Sequence, residues 1–461
     1  MIVAVATPPG QGGVGVVRLS GNGALKAGAA LTQRELPFRQ AVVTPFTHHD
    51  EVLDEGLAIA FGRPRSFTGE DVIELHCHGS PVVLQRILDA ACELGARIAR
   101  PGEFSERAFL NDKIDLAQAE AVADLIASGS VQAARAALRS LQGVFSERVH
   151  ELTAKLEHTR VLLEASIDFP EEEEDFLAAY DIAGKSEEIR AALAELLAES
   201  RRGQVYRDGC SVALIGPPNA GKSSLLNAFT GEDTAIVTDI PGTTRDLLKV
   251  DLVLNGLPVR IVDTAGLRTT DDQVEQQGVA RALGQVTQAD VILLVLDLAA
   301  AMAVEEQHRQ ALAHAGLAVD DPRLLIVLNK SDLLAEPLAA DTQAVKGKQT
   351  SVGLVDTALT DVVQVSAHTG AGIDTLAARI SDQAGAGAGE VLFSARARHV
   401  EALQAAAEHL DQTLALIEAR VTGEVIAEEL RLAHQNLGEI VGQVSADDLL
   451  GKIFSQFCIG K

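Results

Sequence analysis

The sequence predicts a multidomain α/β protein. An α+β segment comes first, and a helical segment follows that is interrupted by a mostly parallel α/β segment and then resumes. Three observations carry this. Short β-type runs with Gly/Pro punctuation fill residues 1 to about 115. Helical periodicity runs through 116–208 and returns in 384–461. Between them, over 209–383, apolar runs alternate with helical patterns. A chain of 461 residues exceeds single-domain size, and 47% apolar content supplies several cores. One helical domain with a guest inserted is the economical reading, since insertion is tolerated where the guest's termini lie close together.

Composition narrows the function. A formal charge of −26 argues against a nonspecific nucleic-acid binder, although a local basic face can still hold RNA. Two Tyr and no Trp leave little for sequence-tolerant base stacking. Cys77, Cys92, Cys210 and Cys458 are scattered, which fits a reducing cytosol better than a disulfide framework. MIVAVATPPG has no basic n-region and carries prolines, so it does not read as a signal peptide. No apolar stretch is long enough to cross a bilayer. A soluble cytoplasmic protein is expected.

In the first segment, Ile2 to Ala6, Val14 to Leu19 and Val72 to Leu75 read as strands and Val82 to Leu94 as a helix. Two stretches, SFTGEDVIELHCHG (66–79) and RPGEFSERAFLNDKID (100–115), hold more polar chemistry than a core needs. His76-Cys77-His78 invites a metal reading. On a strand, however, at most the two histidines share a face, and no second ligand cluster sits nearby in sequence. The plainer reading is a strand end entering the Gly79 turn. From Leu116 to about Ser166, Leu116, Ala119, Val122, Ala123 and Leu125 begin a helical repeat. Pro170 and the acidic run 171–175 interrupt it, the latter reading as a solvated loop. The repeat resumes from about Ile182 to Glu199 and, after the AGAGAGE linker at 384–390, from Ala395 through Ile440.

The inserted segment opens with SVALIGPPNAGKSSLLN. Val212 to Ile215 reads as a buried strand, and Leu225, Leu226 and Phe229 read as one face of a helix. Between them Gly216 to Ser223 spells G-x-x-x-x-G-K-S, the context a phosphate loop requires. Backbone N–H groups of Asn219, Ala220, Gly221 and the helix N-terminus can surround phosphate oxygens. Lys222 can reach the β/γ-phosphates, Ser223 can ligate Mg²⁺, and Ser224 follows in the first turn. Further strands are expected at Val259 to Val262, Val291 to Leu296, Leu324 to Leu328 and Val362 to Val365, with functional residues beyond their carboxyl ends.

The remaining motifs lie there in order. Gly242-Thr243-Thr244-Arg245-Asp246 offers a threonine that can complete Mg²⁺ coordination and sense the γ-phosphate. Asp263-Thr264-Ala265-Gly266 can hold the Mg²⁺ shell and bring a backbone N–H to the γ-phosphate. In Asn329-Lys330-Ser331-Asp332, the Asp332 carboxylate can accept from guanine N1–H and its 2-amino group, a donor pair adenine lacks. Ser366-Ala367 can support the base. Four motifs in this order predict a Ras-like P-loop GTPase domain. Leu267 stands where small signalling GTPases carry a water-orienting glutamine, so another group must polarise the water. Glu275, Asp271 and Asp272 are the candidates.

The chain resembles the MnmE (TrmE) family of tRNA-modification GTPases along essentially its whole length. The stretches that carry the resemblance are ATPPGQGGVGVVRLSG, SFTGEDVIELHCHGSP, RPGEFSERAFLNDKIDLAQAEAVADLI, IDFPEEE, the GTPase motifs, AEELRLAHQNLGEI and DDLLGKIFSQFCIGK. The resemblance implies a GTPase domain inserted into a helical domain, preceded by a tetrahydrofolate-binding-like α+β domain that mediates homodimerisation. Expected bounds are 1–115, 116–208, 209–383 and 384–461, the last ending in the CIGK tail. It implies an MnmG-type flavoprotein partner (a heterotetramer or larger, with FAD only through that partner). The pair installs an aminomethyl or carboxymethylaminomethyl group at C5 of the wobble uridine of certain tRNAs.

The resemblance also implies site residues. Arg18, Glu74, Lys113 and Lys461 fall on folate-binding positions, with 5-formyl- or methylene-tetrahydrofolate as the one-carbon donor. A carboxylate such as Glu74 suits the pterin's adjacent N–H and amino group, and Arg and Lys suit glutamate-tail carboxylates. Cys458 falls on a cysteine implicated in the modification chemistry, and Glu275 on the residue that activates water through a bridging water. Mg²⁺ is expected on Ser223 and Thr244. K⁺ is expected on the Asn219 side chain with carbonyls near Thr238, Ile240 and Thr243, as two GTPase domains meet face to face. The other reading is a regulatory GTPase switch, for example in ribosome assembly, that acts by binding alone.

Overall fold

A computed structural model describes residues 1–168, 180–231, 249–263, 284–300, 302–334, 362–387, 389–443, 447–458 and 460. These form two compact units. The first comprises Met1–Ala123, Ser140–Ala194 and Glu401–Lys461, and the second Asp124–Arg139 and Glu195–Val400.

The first unit holds a six-stranded sheet. Its strands are β1 (Ile2–Val5), β2 (Gly12–Ser20), β3 (Val42–His48), β4 (Glu51–Phe61), β5 (Val72–Gly79) and β6 (Arg97–Ile98), in the order β3-β4-β5-β2-β1-β6. All pairings are antiparallel except β1 with β6. Alternate residues Val17, Leu19, Ile73, Leu75 and Cys77 point into one core, which the helices Ala24–Thr32 and Pro81–Glu93 close. The helix Val144–Asp168 packs along Gly423–Val441 in the same unit. The expected strands and the helix at 82–94 are present. The β3–β4 hairpin and the helices Ala24–Thr32, Glu103–Leu110 and Asp447–Ser455 were not expected.

The polar stretch 100–115 resolves as a structural network. Glu103 is buried and accepts from Arg107 Nη2 at 3.0 Å, from the Arg100 backbone N–H at 2.9 Å and from Arg97 Nη1 at 2.8 Å. Burial alone would raise its pKa, but Arg97, the Arg100 amide and Arg107 together outweigh burial and hold it down at about 2. Arg107 also clasps Glu70 at 2.9 Å, and Glu70 accepts from Ser20 Oγ at 2.8 Å. His76, Cys77 and His78 do not converge: Cys77 is buried, while His78 Nδ1 meets Asp54 Oδ1 at 2.7 Å and His76 Nε2 meets Glu74 at 3.3 Å.

The second unit holds the sheet β12-β11-β10-β7-β9-β8. Its strands are β7 (Cys210–Ile215), β8 (Lys249–Leu254), β9 (Leu257–Asp263), β10 (Val291–Asp297), β11 (Leu324–Asn329) and β12 (Val362–Gln364). Only β8–β9 is antiparallel. Along β10, Val291, Leu293 and Val295 enter one core and Ile292, Leu294 and Leu296 the other. A strand buried on both faces must read as the unbroken apolar run seen here. Helical periodicity at 116–166 is divided among Leu116–Ala127, Val131–Leu141 and Val144–Asp168, and that of 395–440 between Ala397–Glu418 and Gly423–Val441. Gly143 and Arg420, both at positive φ, stand at two of the breaks.

Candidate active site: a phosphate loop, a base corner and a docked tail

In the second unit, β7 delivers the chain into the loop 216–221, and the helix Lys222–Phe229 leaves it. Asn219 (φ 64°) and Gly221 (φ 93°) adopt left-handed backbone. Gly221 is required: a Cβ there would stand 2.2 Å from Asn329 Nδ2. Lys222 Nζ donates to the carbonyls of Gly216 at 2.8 Å and Pro217 at 2.9 Å, which brackets the ammonium over the loop. Ser223 and Ser224 are exposed in the first turn of the helix, Asn219 is exposed and Ala220 is buried. Backbone N–H groups, a helix N-terminus, an ammonium and a hydroxyl at one loop are a donor set suited to a phosphate chain with a hard cation.

The base corner is built at the ends of β11 and β12. Asn329, 2% exposed, donates from Nδ2 to Ala220 O at 2.9 Å and accepts at Oδ1 from the Ala367 N–H at 3.0 Å. Both ends of the amide are used within the protein, so Asn329 positions two loops. Lys330, at φ 67°, extends Nζ to Asp297 Oδ2 at 2.6 Å. Asp297 ends β10 and was missed from sequence, although an acid closing the run VILLVL was the available signal.

Ser366 Oγ donates to Asp332 Oδ1 at 2.6 Å, and this bond is the main cause of the lowered Asp332 pKa. Asp332 is exposed, ionised and held at Oδ1 by Ser366. The phosphate loop, 329–332 and 366–367 therefore converge in one unit. Thr238, Ile240, Thr243, Thr244, Thr264, Ala265, Gly266 and Glu275 lie outside the described residues, as do Leu267, Asp271, Asp272 and the acidic run 171–175. Asp263 is placed by its backbone as the last residue of β9.

In the first unit, register sets Arg18 of β2 directly opposite Glu74 of β5, and Arg18 Nε donates to Glu74 Oε1 at 2.9 Å. The guanidinium lies 5.7 Å from the ring centres of both Phe67 and Phe104. The C-terminal tail docks beside it. Arg18 Nη1 donates to Gly460 O at 3.4 Å, and the Gly102 N–H to Cys458 O at 3.4 Å. Gly460 (φ 96°) comes so close to β1 that a Cβ would stand 2.3 Å from Val5 O. Phe454 and Phe457 are buried against Leu116 and Ala119, whereas the Cys458 thiol is exposed. Lys113 is exposed, with its stem near Gly69, and lines an open cavity of about 450 Å³ with His150 and Gln443. Lys461 lies outside the described residues.

Comparisons with known proteins agree on both units. The description "GTP-binding protein TrmE N-terminus" matches residues 1–113, and "MnmE helical domain" matches 116–458. The chain is 49% identical over 468 residues to the tRNA modification GTPase MnmE of Stutzerimonas stutzeri (strain A1501), covering 100% of this chain and 98% of the relative. It is 50% identical over 464 residues to the protein of that name from Pseudomonas fluorescens (strain Pf0-1), with the same coverage. It is 49% identical over 463 residues to that of Pseudomonas aeruginosa (strain UCBPP-PA14), again covering 100% of this chain and 98% of the relative. Among the described residues, no helix is long and apolar enough to cross a membrane.

Proposed function

The chain belongs to the MnmE family of tRNA modification GTPases, and we propose that its GTP hydrolysis drives a conformational step in the modification of tRNA wobble uridines at C5. The observation that carries this reading is the seat of the tail. Arg18 pairs with Glu74 and at the same time donates to Gly460, which places the exposed Cys458 beside the same sheet. A switch that acted by binding alone would have no use for a tail that carries an exposed thiol and is seated through Gly102 and Arg18.

The donor set fits a reduced folate. Glu74 offers acceptors to a pterin edge, Phe67 offers flat apolar surface, and Arg18 and Lys113 offer cations to the glutamate tail. A tetrahydrofolate held there would supply the one-carbon unit. Glu74, Arg18, Lys113 and Lys461 bind and orient, and Cys458 stands within the same unit to take part in the transfer. Dimerisation through the first unit and an MnmG-type flavoprotein, bringing FAD, complete the assembly in the cytoplasm.

In the GTPase unit, Ser223 with Thr244 suits Mg²⁺. The exposed Asn219 amide, a hard neutral oxygen at the loop, suits K⁺ with carbonyls near Thr238, Ile240 and Thr243. Either cation would add positive charge where phosphoryl transfer spreads negative charge. Glu275 is the group assigned to water activation.

Reconstitution tests the reading. The purified chain, the flavoprotein, unmodified tRNA, GTP, an amine donor (ammonium for the aminomethyl group, glycine for the carboxymethylaminomethyl group) and a folate labelled in its one-carbon unit are combined in K⁺ or in Na⁺ at matched ionic strength. Label in the wobble nucleoside, with GTP turnover faster in K⁺ and the K⁺ response lost in Asn219→Ala, is expected. GTP turnover without label in tRNA would leave the binding-only switch as the function.

A further inference from the structure

Far from the residues assigned above, the β3–β4 hairpin and the end of the helix Pro81–Glu93 bring three ligating side chains together. The hairpin turns through two residues, His49 and Asp50, with His48 paired to Glu51 across its base. Both turn residues have positive φ, 47° and 62°, in a position where glycine would relieve the backbone. This tight reversal sets two successive imidazoles side by side, with ring centres 4.0 Å apart. His48 Nε2 lies 2.7 Å and His49 Nε2 2.9 Å from the same oxygen, Glu93 Oε2. One ligand atom from each residue lies within 4.8 Å of the others, the one such grouping of three among the described residues.

We propose that His48, His49 and Glu93 form a site for a divalent transition-metal ion of the zinc class. Two imidazole nitrogens and one carboxylate oxygen are borderline donors, suited to Zn²⁺, Co²⁺ or Ni²⁺ and poorly suited to Ca²⁺ or Mg²⁺. At ordinary bond lengths, tetrahedral ligands stand about 3.3 Å apart. From their present contacts, His48 Nε2 and His49 Nε2 would each draw back from Glu93 Oε2 by about half an ångström. Glu93 and His49 are 59% and 78% exposed and can give that much, while His48 at 17% is the fixed anchor. The imidazole protons now shared with Glu93 would move to Nδ1, freeing each Nε2 lone pair.

The surrounding charge favours a cation independently of the ligand geometry. Glu93 is the last residue of its helix, at the negative end of the helix dipole, and the last turn carries no basic residue. Asp50, Glu51 and Asp89 add negative charge on the same two elements, and the local cation Arg86 is engaged by Glu51. Three protein ligands leave further positions to water.

The test is a titration of the chelator-stripped full-length protein, without nucleotide, with Zn²⁺ by calorimetry and with Co²⁺ by visible absorption. One equivalent should bind, with a Co²⁺ spectrum that lacks a thiolate charge-transfer band. His49→Ala and Glu93→Gln should each weaken that equivalent about tenfold or more while keeping wild-type melting temperature and GTP turnover. His78→Ala should leave it unchanged. Equal affinity in wild type, His49→Ala and Glu93→Gln, a thiolate band, or no Zn²⁺ binding would overturn the assignment.

Discussion

The side-chain amide of Asn329 donates to the backbone carbonyl of Ala220 across 109 positions of sequence, at 2.9 Å. Through this bond, and through the one from Ala367 N–H, the loop 216–221 is tied to the loops 329–332 and 366–367. Under the proposed reading, the nucleotide site depends on a residue whose amide is engaged at both ends within the protein.

Asn329→Ala should lower nucleotide affinity and domain stability together. It leaves a carbonyl and an N–H without partners at a 2%-exposed position, at a cost of about 1–3 kcal/mol. Thermal melts with and without GDP, alongside GDP titration, check this. Wild-type stability with weakened binding would instead make Asn329 a direct base contact.

Asp332→Asn should change which base is bound. The exposed carboxylate, oriented by Ser366, can accept from paired N–H donors. An asparagine puts an N–H there and suits xanthine, which carries a carbonyl at position 2. GTP binding should weaken about tenfold or more, and xanthosine triphosphate should gain. Unchanged guanine selectivity in a competition assay would remove Asp332 from the base site.

Acid should destabilise the first unit through Glu103. Its pKa falls from 4.5 to about 2 on folding, so its contribution is complete above about 4.5 and disappears as pH falls toward 2. Exposed Arg97 and Arg100 are screened by solvent, so the contribution is about 1–3 kcal/mol. Glu103→Gln should lose that much at pH 7, and the gap from wild type should narrow between pH 4.5 and 2 in denaturant titrations. A constant gap over that range would mean that packing, not charge, holds the network.

What was legible in the sequence was local. Gly216 to Ser223 is one loop whose glycines and lysine are consecutive, and the buried strands β10 and β11 are unbroken apolar runs. β8 pairs with β9 across Asn255-Gly256, a two-residue turn at φ 50° and 83° whose residue pair is itself a strong hairpin signal in the sequence. β3 and β4 escaped because His49-Asp50 is an unusual pair for such a turn. Arg18 and Glu74 were named through a family resemblance, since nothing in their 56-residue separation shows that they face each other. The bond from Arg18 to Gly460 spans 442 positions and was beyond any local rule.

The most direct measurement is a nucleoside mass profile of tRNA from a strain lacking this chain, complemented in turn by wild type, Lys222→Ala and Cys458→Ser. The account predicts that C5-modified wobble uridines vanish in the deletion and return with wild type. They should stay absent with Lys222→Ala, which cannot hold the phosphates, and with Cys458→Ser, which still hydrolyses GTP when purified. Normal wobble uridines in the deletion strain would contradict it.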